Sequence, residues 1–152
     1  MKDIFYIIGF MGSGKSTLTQ RVGEQLEIPW IDLDQLIEEA CSMSISTIFR
    51  DEGEEYFREL ESEALYNIPS GPILVATGGG TPCSEEHWKQ ITKTGYPIFL
   101  DAPFLVLYER IRKEGNRPLL RRYSKNALQE LFADRLNYYE RADYQIDVDR
   151  PR

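Results

Sequence analysis

The sequence predicts an α/β fold, a five-stranded parallel sheet flanked by helices and organised around a phosphate-binding loop (P-loop). Three observations carry this expectation. Residues 9–17 read Gly-Phe-Met-Gly-Ser-Gly-Lys-Ser-Thr and meet every fixed position of the pattern G-x-x-x-x-G-K-S/T. Five short apolar runs alternate with helix-compatible stretches, the order expected of strands joined by helical crossovers. The 152 residues fit one domain, which at this size buries about 68–70% of its unfolded surface and needs no staples.

The first strand is the run Ile4-Phe5-Tyr6-Ile7-Ile8, and a helix is expected over 16–26, where Leu18, Val22 and Leu26 fall every fourth position. Between them, Gly9, Gly12 and Gly14 open backbone angles closed to other residues. Successive N–H groups can therefore turn inward around a phosphate at the positive end of the helix. The remaining strands are read at 29–32, 73–76, 96–100 and 144–148, the last alternating polar and apolar as an edge strand does. Helices are expected over 34–40, in one run over 46–67, and over 85–92, 103–113 and 126–139. Residues 114–124 combine turn formers, a proline and a single apolar pair, and read as a mobile loop. There is no internal repeat and no low-complexity tract.

Composition is that of a globular protein, 41% hydrophobic and 28% charged, without an apolar run near the ~20 residues of a membrane span. Met1-Lys2-Asp3 leads straight into the first strand, so no targeting peptide is expected and the location is read as cytoplasmic. Cys41 and Cys83 are distant and lie in no C-x-x-C pair; two buried thiols are expected rather than a disulfide or a zinc site. A net charge of −7 argues against a nucleic-acid partner. The charge is uneven, however. Residues 51–63 hold seven acids and only Arg58 as a base, whereas 110–125 hold seven bases against Glu114, a basic island that suggests a local anion site.

Ligands of open parallel sheets sit at the carboxyl ends of the strands. In the glycine loop, the backbone of Gly12, Ser13, Gly14 and Thr17 would surround phosphates, Lys15 would reach the β- and γ-phosphates of ATP, and Ser16 would coordinate Mg²⁺. Asp32 and Asp34 follow the second strand two residues apart, and strand periodicity points both the same way. Asp32 suits support of the metal. Asp34 suits either acceptance of a hydrogen bond or proton from an attacking hydroxyl, or the N-cap of the next helix. Thr77-Gly78-Gly79-Gly80 after the third strand suits a close approach to the backbone or a plain tight turn. Arg58 is explained equally by helical pairing with Glu54, Glu55 or Glu61, and Arg135 by lying against Tyr139. His87, the only histidine, reads as structural or solvent-facing.

Taken together, residues 9–17, Ile31-Asp32-Leu33-Asp34, Gly53-Glu54 with Phe57-Arg58-Glu59-Leu60-Glu61, Ala76-Thr77-Gly78-Gly79-Gly80, Arg117-Pro118-Leu119-Leu120 and Arg135 with Tyr139 and Ala142 resemble the shikimate kinase family in content and order, from about residue 4 to 148. The resemblance implies a nucleoside-monophosphate-kinase-like P-loop domain over 1–152, with a substrate region at about 33–61 and a lid at about 112–124. It implies transfer of the ATP γ-phosphate to the 3-hydroxyl of shikimate, with Mg²⁺, in chorismate and aromatic amino acid synthesis; a monomer is expected, with no membrane partner. By the same resemblance Arg58 and Arg135 take the substrate carboxylate, Asp34 its hydroxyls, and Gly79 and Gly80 line it; Arg117 contacts nucleotide phosphates from the lid and Arg110 lies near the adenine. The family commonly continues past the last strand into a segment covering the adenine, whereas this sequence ends at Arg152, so weaker adenine contacts are expected; Asn137 stands where proline is frequent. A kinase of another acid such as gluconate, a P-loop switch and a nucleic-acid binder are the competing expectations.

Overall fold

The computed structural model describes residues 2–115 and 117–148; the side chain of Arg117 lies outside the described part. Five parallel strands, β1 (Ile4–Ile8), β2 (Trp30–Asp32), β3 (Ile73–Ala76), β4 (Gly95–Asp101) and β5 (Tyr144–Asp147), form one sheet in the order β2-β3-β1-β4-β5. β1 and β3 are apolar throughout because helices cover both faces at the centre, and Tyr6, Ile8, Val75 and Phe99 anchor the main core. All four residues of β5 are exposed, the edge position its alternation predicts.

The crossovers are α1 (Lys15–Leu26), α2 (Leu33–Cys41), α3 (Ile45–Glu52), α4 (Glu54–Tyr66), α5 (Glu85–Thr94), α6 (Phe104–Lys113), α7 (Arg117–Arg122) and α8 (Lys125–Tyr139). Two expectations are corrected here. The run over 46–67 is not one helix. Gly53 adopts φ 90° and ψ 165°, a conformation only glycine takes cheaply, so α3 ends and α4 begins there at an angle. Together α2, α3 and α4 enclose a small second core of Ile37, Ile48 and Phe57, which makes 33–61 a platform beside the sheet. Residues 114–124, expected as a loop, contain the helix α7. Leu119, Leu120 and Tyr123 pack on the main core, and Pro118 is tolerated because it lies in the first helical turn. Among the described residues no helix is long and apolar enough to cross a membrane.

Candidate active site

α1 begins at Gly14, φ 91°, with no side chain capping its first N–H groups. The N-termini of α2, α3, α5 and α8 are capped instead by Asp32, Ser44, Ser84 and Ser124. α4 and α6 also start without a side-chain cap, at Gly53 and Pro103, but only at α1 does the uncapped start follow a glycine loop of the P-loop pattern, which leaves its N–H groups for an anion at the positive end of the helix dipole. Ser13, buried in the same loop, has a hydroxyl with no hydrogen-bond partner. Lys15 folds over the loop, its Nζ donating to the carbonyls of Gly9 at 2.7 Å and Phe10 at 3.0 Å. Burial lowers its pKa to about 8, opposed mainly by the negative charge of Asp34. Thr17 is exposed in the first turn. Arg110, from α6, donates to the carbonyl of Gly12 at 3.1 Å and so stands at the rim of this loop.

Asp32 and Asp34 are near one another for a reason other than strand periodicity. Asp32 ends β2 and Asp34 lies in the first turn of α2. The N-cap is Asp32, which accepts from the backbone N–H of Gln35 at 3.1 Å while its other oxygen accepts from the Ser16 hydroxyl. Asp34 is thereby released from the capping role. Burial, then the neighbouring Asp32 charge, raise its pKa to about 6, with Lys15 pulling the other way.

The glycine stretch is both a turn and a close approach. The Thr81 N–H donates to the Gly78 carbonyl at 3.1 Å, but none of Gly78, Gly79 and Gly80 has a positive φ, so the turn does not itself demand glycine. A Cβ at Gly78 would instead stand 2.7 Å from Asp34 Oδ1, one at Gly79 2.9 Å from Arg135 Nη1, and one at Gly80 2.9 Å from both terminal nitrogens of Arg58. Three side chains from α2, α4 and α8 therefore converge on one glycine wall. The cavity they line measures about 590 Å³, and Met11, Phe49, Phe57 and Leu119 give it apolar sides.

Arg58 is both helix-paired and in the cavity. Its Nη1 donates to Glu61 Oε1 at 2.8 Å and its Nη2 approaches Glu54 Oε1 at 3.5 Å. Glu61 is only 1% exposed and also accepts from the Thr81 hydroxyl at 2.8 Å, so it fixes the guanidinium plane against the glycine loop. Tyr139, fully buried, stands beside Arg135 at the same wall: its hydroxyl donates to the Gly79 carbonyl, while Arg135 Nη1 faces the Gly79 Cα. In the sequence Glu61 and Tyr139 stand as rival explanations for the arginines and within the family-like series, without a role of their own; the i,i+3 spacing of Arg58 and Glu61 was the signal that Glu61 orients the guanidinium.

Of the two readings of His87 the structural one holds: it is buried and bonded through its ring to the Ser62 hydroxyl and the Thr81 carbonyl. Both cysteines are free and half-buried rather than enclosed. Four of the described side chains of the basic island point to different partners. Arg110 reaches the P-loop, Arg112 pairs with Glu109, Arg122 lies over the Phe49 ring and Lys125 over the Tyr108 ring. Arg117 belongs to α7, but its side chain lies outside the described residues.

The family model for shikimate kinase matches residues 11–151. The chain belongs to the shikimate kinase family. A shikimate kinase from Persephonella marina is 38% identical over 150 residues, 98% of this chain and 90% of that protein. The shikimate kinase structure from Aquifex aeolicus superposes with a TM-score of 0.82 at 35% identity, covering 97% of this chain and 87% of the other. That from Acinetobacter baumannii, in complex with shikimate, gives 0.89 at 29% identity, covering 99% and 86%. As in other shikimate kinases, the chain is an ATP-dependent small-molecule kinase. Family membership removes the switch and nucleic-acid alternatives.

Proposed function

We propose that this chain transfers the γ-phosphoryl group of ATP to the 3-hydroxyl of shikimate, giving shikimate 3-phosphate and ADP in chorismate and aromatic amino acid synthesis. The observation that carries the proposal is the convergence of the Arg58 and Arg135 guanidinium groups on Gly79-Gly80, in the same cavity as Asp34. Two forked cations suit a carboxylate, and a carboxylate with a pKa near 6 suits a hydroxyl.

In this mechanism Arg58 and Arg135 hold the substrate carboxylate and thereby aim the ring hydroxyls at Asp34. Asp34, ionised at neutral pH, accepts the hydrogen bond of the attacking hydroxyl and then its proton. The N–H groups of Gly12, Ser13, Gly14 and Thr17 bind phosphate oxygens. Lys15 exchanges its two loop carbonyls for the β- and γ-phosphates and offsets charge on the transferring group. Arg110 borders the nucleotide from α6, and Arg117 contacts the phosphates from a lid at about 112–124 that excludes water.

The residues present fit Mg²⁺. A hydroxyl and a carboxylate, Ser16 and Asp32, meet beside the uncapped start of α1, and hard oxygen donors of this kind suit a cation otherwise held by phosphate oxygens and water. Ser16 would coordinate it, with Asp32 supporting from the Ser16 hydroxyl. When bound, the ion supplies charge neutralisation across the β- and γ-phosphates. The proposal includes a cytoplasmic monomer.

The test is a coupled assay of ADP release from ATP and Mg²⁺. Release is expected to depend on shikimate and to be far slower with gluconate. A folded protein whose ADP release ignores shikimate would overturn the proposal.

A further inference from the structure

Beyond the residues that meet the ligands, the cavity contains an ion triplet linking two separate elements. Arg58, on α4, has spent Nη1 on Glu61, so Nη2 is the nitrogen left to face a substrate carboxylate. Glu54 stands beside that nitrogen, 3.5 Å away through Oε1. Its other oxygen faces Arg122 Nη2, from α7, at 3.9 Å. Arg122 is itself held by aromatic faces, its guanidinium 4.5 Å from the centre of the Phe49 ring and 5.6 Å from that of Tyr123. Glu54 is 56% exposed and therefore free to swing, so which arginine it neutralises is decided by which offers the better partner.

We propose that Arg122 is a positioning residue for substrate binding, which acts by drawing Glu54 away from the Arg58 nitrogen that the substrate carboxylate must occupy. This rests on the reading of Arg58 as half of a carboxylate clamp. A carboxylate arriving at Nη2 displaces Glu54, whose charge would otherwise repel it across a few ångströms. Arg122, stacked and preoriented, receives the displaced group. Without Arg122 the Glu54 carboxylate has only Arg58 to pair with and competes directly with the substrate. The consequence is a change in affinity for the acid and none in the phosphoryl-transfer step.

The experiment is a double-mutant cycle read in steady-state kinetics with shikimate as the varied acid. Arg122→Gln is expected to raise KM for shikimate about fivefold, the scale of a partly exposed ion pair, leaving kcat and KM for ATP unchanged. Arg122→Lys, which keeps the charge, is expected to restore most of the loss. In the Glu54→Gln background, Arg122→Gln should leave KM for shikimate unaltered. Equal melting temperatures verify that the variants fold. An undiminished Arg122→Gln effect in the Glu54→Gln background would overturn the inference, because Arg122 would then act on the acid directly; so would an unchanged KM in the single variant, or a fall in kcat. A wild-type protein without shikimate-dependent turnover would overturn the proposed function first and this inference with it, which distinguishes the two failures.

Discussion

Replacing Gly80 with alanine adds one carbon at the point where the two arginines meet. The backbone there has no positive φ, so alanine is conformationally acceptable. The new Cβ would lie 2.9 Å from both terminal nitrogens of Arg58 and 3.1 Å from Arg135 Nη2, whereas ordinary contact begins at 3.4 Å. The guanidinium groups must therefore retreat by about half an ångström, and they can, being the ends of long side chains. The fold should absorb the change, shifting the melting temperature by no more than about 2–4 °C for a domain of this size. The clamp should not. Misplacing the donors costs one or two charged hydrogen bonds, about 1.5–3 kcal/mol each, so KM for shikimate should rise about 10- to 150-fold for the first. KM for ATP should stay near its wild-type value, because the P-loop is untouched. Coupled ADP-release kinetics with shikimate and ATP varied in turn, beside thermal melts, would measure this. An unchanged KM for shikimate would refute the placement of the carboxylate at the glycine wall, and a parallel loss for ATP would point to general distortion.

Four further outcomes are expected. The pH profile of kcat/KM should be a bell, rising through about 6 as Asp34 ionises and falling through about 8 as Lys15 loses its proton; Asp34→Asn should remove the acid limb with most of kcat. Stability should respond to the same group. Because the folded pKa of Asp34 lies above the ordinary 3.8, its favourable contribution is complete below that value and is lost as pH rises through about 6, so the melting temperature of wild type relative to Asp34→Asn should be higher at pH 4 than at pH 7. Arg58→Ala and Arg135→Ala should each weaken shikimate binding by about 1.5–3 kcal/mol, measured by calorimetric titration. Only Arg58→Ala should also lower the melting temperature markedly, because it strips the buried Glu61 of its cation. Lys15→Ala should reduce kcat far more than it alters shikimate affinity, since its charge serves the transferring group; near-normal turnover would remove it from the mechanism.

The strands, the P-loop and the family were legible in the residue order because each is a local signal. Short apolar runs alternating with helix-compatible stretches fit strands of a parallel sheet, with the polar-apolar alternation of 144–148 marking its edge, and the glycine loop carries its own backbone geometry. The break at Gly53 and the helix at 117–122 were less legible. A glycine inside a helical pattern does not announce its φ, and α7 exists because Leu119, Leu120 and Tyr123 find a core to cover. The spacing of Asp32 and Asp34 was legible too, but its reason was not: which aspartate caps α2 depends on where β2 ends, and that decides which one keeps a free carboxylate.

By itself, then, the sequence determined which residue types stand at the carboxyl ends of the strands and in what order. Only the tertiary structure decided that Asp34, Arg58 and Arg135, more than a hundred residues apart at the extremes, press against three successive glycines, that Glu61 holds Arg58 there, and that Tyr139 anchors the Gly79 carbonyl. The physical reason is that helical neighbours and long-range neighbours compete for the same guanidinium. Sequence spacing reveals the first partner alone, whereas the orientation of Arg58 is settled by a buried carboxylate and the missing side chains of a loop on another strand.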